Sequence, residues 1–245
     1  MHFKIIVCCY NVEKWISANI KSIKEQTHKD FQCIIIDDMS TDKTVEIASS
    51  LISGDDRFKL IPNTQRKYAS WNIYHATKNC NPSDDDIVTT VDGDDWLASP
   101  GSLEIIKECY EKNKDILMTY GSYVTYPEGK RSTFGNFPSH IIENNDYKKY
   151  PWIYSHMRTQ KYKIFKYLEE NDLISSWDGK PYNMAYDMVL YMKLLELSNG
   201  RIKFMENELL VYNKANTLNE NKVSLEDIRR VENEIRSKKK NEPIF

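Results

Sequence analysis

The sequence predicts an α/β protein: a mostly parallel central sheet with helices on both faces, continued by a mixed, helix-rich second half. Three observations predict it. Short apolar runs such as Ile5-Ile6-Val7 and Ile34-Ile35-Ile36 alternate with segments of helical apolar spacing, the pattern of strands covered on both sides. Three of the strands end in polar sequence, at Tyr10-Asn11, Asp37-Asp38 and Asp92-Gly93-Asp94-Asp95. After about residue 115 the strand–helix rhythm gives way to polar, aromatic sequence.

Taken in order, residues 3–9 read as the first strand, and 13–26 is helical through Trp15, Ile16, Ala18, Ile20 and Ile23. Residues 31–36 form the next strand, and 43–51 a helix with Val45, Ile47, Ala48 and Leu51 apolar. Strands at 57–61 and 87–91 flank a helix at 68–78. Ser99-Pro100 reads as an N-cap with proline at the first helical position, opening a helix to about residue 113. Residues 116–126 read as a strand or hairpin arm, closed by the turn signal Pro127-Glu128-Gly129-Lys130. Helices are expected at 158–169 and 182–197, and short strands at 202–205 and 209–212. Leu225, Ile228, Val231 and Ile235 lay an apolar stripe along a final charged helix, which docks on its own domain or on a second subunit. No internal repeat or low-complexity linker divides the chain, so 1–125 and 126–245 are expected as two halves of one domain.

Composition bounds the function. At 245 residues, 40% hydrophobic and 29% charged, the chain suits one large, well-solvated domain and not a disordered one. A net charge of -2 supplies no field for nucleic acid or an anionic membrane. No apolar run approaches the ~20 residues of a membrane-spanning helix, and the N-terminus enters a strand without the features of a signal peptide. The five cysteines show no Cys-x-x-Cys spacing, which points to reduced, mostly buried thiols. The expectation is a soluble, cytoplasmic protein.

In parallel sheets ligands bind beyond the carboxyl ends of the strands, so the polar strand ends carry the chemistry. Val91-Asp92-Gly93-Asp94-Asp95-Trp96 is the sharpest of them. Two like charges ~4 Å apart repel by roughly 4 kcal/mol at an effective dielectric near 20, so the cluster needs a cation, a proton or full solvation. Hard oxygen ligands suit Mg²⁺ or Mn²⁺, and Gly93 is expected to let the backbone turn tightly between the carboxylates. The plainer reading is a solvated acidic turn, as expected for Asp84-Asp85-Asp86. Asp38 is placed to accept hydrogen bonds from a nucleobase or ribose, while Ser40, Thr41 or Asp42 caps the next helix. Tyr10 offers a ring to a base, and Asn11 fixes the turn after the first strand.

Residues 3–97 resemble family 2 glycosyltransferases of the GT-A (Rossmann-like) fold. The resemblance rests on the strand ending Cys8-Cys9-Tyr10-Asn11, on Gln26-Thr27, on Asp37-Asp38-Met39-Ser40-Thr41-Asp42-Lys43-Thr44 and on Asp92-Gly93-Asp94-Asp95, in that order and spacing. It implies inverting transfer from a nucleotide-diphosphate sugar, commonly a UDP-sugar, to a hydroxyl of a glycan or other acceptor. A divalent Mn²⁺ or Mg²⁺ would lie on the diphosphate. Carried over, Tyr10 and Asp38 contact the base and Cys8 lines its pocket. Asp92 or Asp94 touches ribose or donor sugar, and Asp94, with Asp95, holds the metal. The general base of such a transfer falls on Asp187 within Ala185-Tyr186-Asp187-Met188-Val189-Leu190-Tyr191, with Asp178 as the fallback. Read without the resemblance, Asp187 is equally an N-terminal helix charge favoured by the dipole.

The chain departs from the pattern where many relatives carry a histidine, reading Asn213-Lys214-Ala215-Asn216. Either Lys214 serves the diphosphate, or the metal relies on carboxylates and water. Ser155-His156-Met157-Arg158-Thr159 resembles a His-x-Arg-Thr stretch of one subset, where His156 or Arg158 would neutralise phosphate; His156 reads equally as structural. Arg66-Lys67 reads mainly as surface charge. Tyr147, Tyr150, Trp152, Tyr154, Trp177 and Tyr182 read as core or as an acceptor cleft, and Lys238-Lys239-Lys240 as a complement to the last helix's dipole. A sugar nucleotidyltransferase is disfavoured, since no glycine precedes Gly54, and a dinucleotide oxidoreductase lacks its Gly-x-Gly-x-x-Gly. A degenerate donor-binding module is the non-enzymatic alternative; the retained carboxylates speak against it.

Overall fold

The computed structural model describes residues 1–218 and 224–245. Eight strands form one sheet: β1 Phe3–Cys9, β2 Phe31–Asp37, β3 Phe58–Pro62, β4 Ile87–Asp92, β5 Trp96–Leu97, β6 Met118–Tyr126, β7 Thr159–Lys161 and β8 Ile202–Asn213. Their order is β3-β2-β1-β4-β7-β6-β8-β5. The first four run parallel, with Val7 opposite both Ile35 and Val91. β7 then pairs antiparallel with β4 and with β6, β6 and β8 pair parallel, and β5 closes the far edge antiparallel to β8. The sheet is therefore parallel where the donor-side motifs lie and mixed beyond.

The helices among the described residues are α1 Ile16–Lys24, α2 Thr44–Ile52, α3 Tyr68–Asn79, α4 Ser102–Lys112, α5 Ser139–Glu143, α6 Tyr162–Phe165, α7 Tyr186–Leu197 and α8 Leu225–Ser237. Alternation along the strands sorts them into two layers. Phe3, Ile5, Val7 and Cys9 of β1 face one core with Ile16, Ile20 and Ile23 of α1, Ala48 of α2 and Ile106 of α4. Ile6 of β1 and Ile34 and Ile36 of β2 face the other, with Ile73 of α3, the apolar residues of α7, and Val231 and Ile235 of α8. Each CH₂ so buried is worth ~0.8 kcal/mol, and α7, buried almost all round, is the central helix of the second layer.

Several expectations change. The helix expected at 158–169 is instead strand β7 followed by the four-residue α6, because Thr159, Gln160 and Lys161 are claimed by pairing to β4 and β6. The two strands expected at 202–212 are one, with register shifts opposite Gly121 and Ser122. α1 begins at Ile16 rather than residue 13, since Glu13 is held by the loop after β2. Ser99 does not cap α4, whose N-cap is Gly101; its hydroxyl accepts from the Gly101 amide. Lys238, Lys239 and Lys240 lie beyond the end of α8, where the Lys238 and Lys239 carbonyls accept from the Lys148 ammonium.

Candidate active site

The carboxyl ends of β1, β2 and β4 open onto a cleft of about 630 Å³, closed opposite by the start of α7 and the segment around Trp152 and His156. Cys8, Tyr10, Asp38, Asp92, Asp94 and Asp187 all line it. Asp95 lies behind its floor, and Asp178 is absent from the wall among the described residues, held by the Ser175 hydroxyl and the Lys180 amide in an exposed turn.

At the β2 end the polar motif divides its work. Asp37 accepts from the Ser40 amide, and Asn11, at φ 51°, accepts from the Thr41 amide. Asp42 accepts from the amide and hydroxyl of Thr44 and from the Glu13 amide. It therefore caps the first turn of α2 from one residue ahead of the N-cap, and ties the loops after β1 and β2 together. Asp38 alone turns to the cleft. Its carboxylate accepts from Asn63 Nδ2 at 3.0 Å, Arg66 Nε at 2.9 Å and the amides of Lys67 and Tyr68 at 2.8 and 3.0 Å. Burial alone would raise its pKa, but hydrogen bonds from the side chains of Asn72 and Asn63 and the two amides hold it below the ordinary range. Arg66 is thus no free surface cation, and its guanidinium lies 3.4 Å from the centre of the Tyr10 ring.

The acidic end of β4 is clamped from both sides. Asn19, on the buried face of α1, donates through Nδ2 to the carbonyls of Asp92 and Asp95 at 2.9 and 2.8 Å. Asn213, the last residue of β8, donates its amide to Asp95 Oδ1 at 2.8 Å, and Asn216 beyond it donates its side chain to Asp94 Oδ2 at 2.7 Å. The segment without the family's histidine therefore steers the carboxylates through two asparagines, while Lys214 lines the cleft beside them. Gly93 serves close approach rather than a special turn, because a Cβ there would meet Cys9 Sγ at 2.7 Å and the Cys8 carbonyl at 2.9 Å.

Burial raises the pKa of all three carboxylates, and the Asp94 charge adds to the rise at Asp92 and Asp95. Burial, then Asp94, pushes Asp92 up to about 6, against the opposing Arg158 charge and Tyr186 hydrogen bond. Burial raises Asp94. It raises Asp95 well above the usual range, with Asp94 and Asp92 adding to it. The Cys8 thiol is raised well above its usual value by burial and then by Asp92 and Asp38. Asp95 is 1% exposed, and its Oδ2 has no hydrogen-bond partner among the described residues, a costly arrangement for an oxygen without a ligand. One ligand atom each from Asp92, Asp95 and His156 lie within 4.8 Å of one another. His156 is buried, and burial followed by the Arg158 charge pushes its pKa well down, leaving the neutral imidazole that metals take. The donor set, with its orphaned oxygen, fits a divalent cation; Asp94 stands outside that trio, on Asn216.

Across the cleft, Asp187 sits in the first turn of α7, after Ala185 at φ 48°. Trp152 Nε1 donates to Asp187 Oδ2 at 2.7 Å, Arg158 Nη1 to the same oxygen at 3.4 Å, and the Met188 amide to Oδ1 at 2.9 Å. The neighbouring Tyr186 hydroxyl reaches both oxygens of Asp92 at 2.7 and 2.9 Å. Arg158, 2% exposed, thus stands between the two acidic groups. Among the aromatics, Tyr147, Tyr154 and Tyr182 are core, Trp177 is exposed under Arg230, and Trp152 reaches the cleft. Asn19, Tyr186 and the bonding role of Trp152 escape sequence reasoning. Only Asn19 leaves a signal, as a polar residue on the apolar face of a helix.

A family model described as Glycosyl transferase family 2 matches residues 4–176. The chain is 27% identical over 223 residues to glycosyltransferase GlyA of Streptococcus pneumoniae serotype 4, covering 86% of this chain and 29% of that protein. It is 33% identical over 120 residues to the Escherichia coli UDP-Glc:alpha-D-GlcNAc-diphosphoundecaprenol beta-1,3-glucosyltransferase WfgD, covering 49% and 44% of the two. The chain thus spans less than half of either relative. Among solved structures, S. aureus TarS 1–349 in complex with UDP-GlcNAc superposes with a TM-score of 0.62 at 18% identity, covering 88% of this chain and 59% of that one. Mannosyltransferase PcManGT from Pyrobaculum calidifontis, in complex with GDP-Man and Mn²⁺, gives 0.61 at 15%, covering 98% and 66%. The shared architecture is GT-A.

Proposed function

The chain belongs to glycosyl transferase family 2, and from that premise we propose that it transfers a sugar from a UDP-sugar to an acceptor hydroxyl, with inversion and with the help of a divalent cation. The observation that carries the reading is the convergence on one cleft of the β4 carboxylates and of Asp187 from α7. Residues 1–125 hold the donor in this reading and residues 126–245 shape the acceptor side. A UDP donor is supported by the UDP-GlcNAc complex of TarS and by the donor in the name of WfgD.

In the proposed reaction the acceptor oxygen attacks the anomeric carbon, the bond from that carbon to the diphosphate oxygen breaks, and UDP leaves. Asp187 takes the acceptor proton. Tyr10 and Asp38 bind the base, with Arg66 beside them, and Cys8 lines that pocket. Asp92, held by Tyr186, faces ribose or sugar. Asp94 and Asp95 are the proposed metal ligands, and Asp92 and His156 complete the donor set. When bound by this donor set, Mn²⁺ or Mg²⁺ would supply positive charge for the diphosphate leaving group.

The test is release of nucleoside diphosphate from a panel of UDP- and GDP-sugars with Mn²⁺ or Mg²⁺. Cation-dependent release from one UDP-sugar, lost in Asp94→Ala, is the expected result. Donor binding by calorimetry without release would instead mark a binding module. Absence of both would overturn the donor site.

A further inference from the structure

Resting on the reading of Asp187 as the base, we propose that Trp152 is a positioning residue: its indole N–H, with the Arg158 guanidinium, occupies one oxygen of Asp187 and commits the other, Oδ1, to taking the acceptor proton. A carboxylate oxygen offers two lone pairs. Both on Oδ2 are taken, by Trp152 Nε1 at 2.7 Å and Arg158 Nη1 at 3.4 Å. Among the described residues Oδ1 accepts only the Met188 amide, at 2.9 Å, and so keeps one lone pair. The residue lines the cleft with its side chain 23% exposed, and in the proposal the lone pair left on Oδ1 is the one that meets substrate.

Trp152 is suited to the task by its own surroundings. It lies in a stretch without regular secondary structure, where no backbone ladder fixes its place. Its ring is half-buried, 5.9 Å from the fully buried ring of Tyr154. A half-buried indole needs a partner for its N–H, and the one it has is the carboxylate. The bond therefore runs both ways: the packed ring sets the direction of the donor, and the donor sets the rotation of the carboxylate. A ring in an acceptor cleft is otherwise read as a stacking platform for a sugar, and the two roles part in kinetics. A platform contributes to acceptor affinity, whereas a positioning group contributes to turnover.

The experiment compares Trp152→Phe, which keeps a ring and removes the N–H, with Trp152→His, which restores an N–H. UDP release from UDP-glucose, UDP-galactose, UDP-GlcNAc and UDP-GalNAc, with water as the acceptor, gives kcat and donor KM, and a platform for an acceptor sugar would leave that kcat at its parental value; calorimetry with UDP and Mn²⁺ gives donor-site affinity. Trp152→Phe is expected to lower kcat about tenfold with KM and UDP affinity within twofold of the parent, and Trp152→His to recover part of the loss. In ¹H–¹⁵N spectra the Trp152 indole resonance, identified by its loss in Trp152→Phe, should shift upfield in Asp187→Ala. Parental kcat in Trp152→Phe, a change confined to KM, or an indole resonance indifferent to Asp187→Ala would each overturn the proposal. Parental activity in Asp187→Asn would instead overturn the base assignment itself. Where Trp152→Phe fails to fold, Trp152→His identifies the same resonance by its loss, and the spectral arm still reads the contact.

Discussion

Under the proposed chemistry, protons and a divalent cation compete for Asp92. Its folded pKa of about 6 lies above the ordinary carboxylate value, so between the two the folded state holds the extra proton and stability falls as pH rises. The cation needs the deprotonated form. Mn²⁺ affinity measured calorimetrically should therefore weaken by about tenfold between pH 7 and pH 5, one unit below that pKa. A flat profile would place the cation away from Asp92. At the other wall, Asp187→Asn should lower turnover by ~10²–10⁴-fold while UDP still binds, because Asp187 touches no group of the Asp38 pocket. The motif residues Asp38, Asp92, Asp94 and Asp187 could be named from sequence, since their types and order carry the pattern. Their partners could not: Arg66, Asn216 and Trp152 lie far along the chain from the carboxylates they serve, and no local spacing records the meeting.

At the scale of the element, the parallel half was legible and the mixed half in part: the strand at 116–126, the helix at 182–197 and the last helix stand as β6, α7 and α8, whereas β7 went unread. Strands β1, β2 and β4 are β-branched runs of six or seven residues, long enough for their composition to report them. β7 is three residues, Thr159-Gln160-Lys161, too short for any period, and its existence depends wholly on the two strands it separates. The crossing of β1 and the β4 end yields a firm expectation. Gly93→Ala pushes a methyl into Cys9 Sγ and the Cys8 carbonyl, and the backbone cannot give way without moving the flanking carboxylates. Chemical denaturation should show a loss of about 1–3 kcal/mol, accompanied by weaker cation binding. An Ala variant as stable as the parent would mean that the loop relaxes freely.

For the whole molecule, a buried pair ties the C-terminal segment to α7, beside the packing of Val231 and Ile235 of the last helix. Lys148 and Glu196 are 3.0 Å apart with side chains 11% and 0% exposed. Asn241 donates twice to the same Glu196 oxygen, and Arg236 donates to the Lys148 carbonyl. Lys148→Met strands a carboxylate and should cost about 3–5 kcal/mol in urea denaturation; adding Glu196→Leu should recover most of that loss. Ligand is expected to act in the opposite direction. UDP with Mn²⁺ at a hundred times its Kd adds ~2.7 kcal/mol, a rise in melting temperature of roughly 5–10 °C for a chain of this size, absent in Asp94→Ala. The sheet order also has a consequence in time. β6 pairs Met118 with Ile202, and β7 must enter between β4 and β6 before that part of the sheet closes. During synthesis at ~5–20 residues per second, the four parallel strands leave the ribosome complete while α7 is still unmade. The Asp38 pocket can therefore assemble seconds before α7 brings the proposed base, whereas Asp92 and Asp94 wait for Tyr186 and Asn216, so the two ends of the proposed donor site are completed at different times.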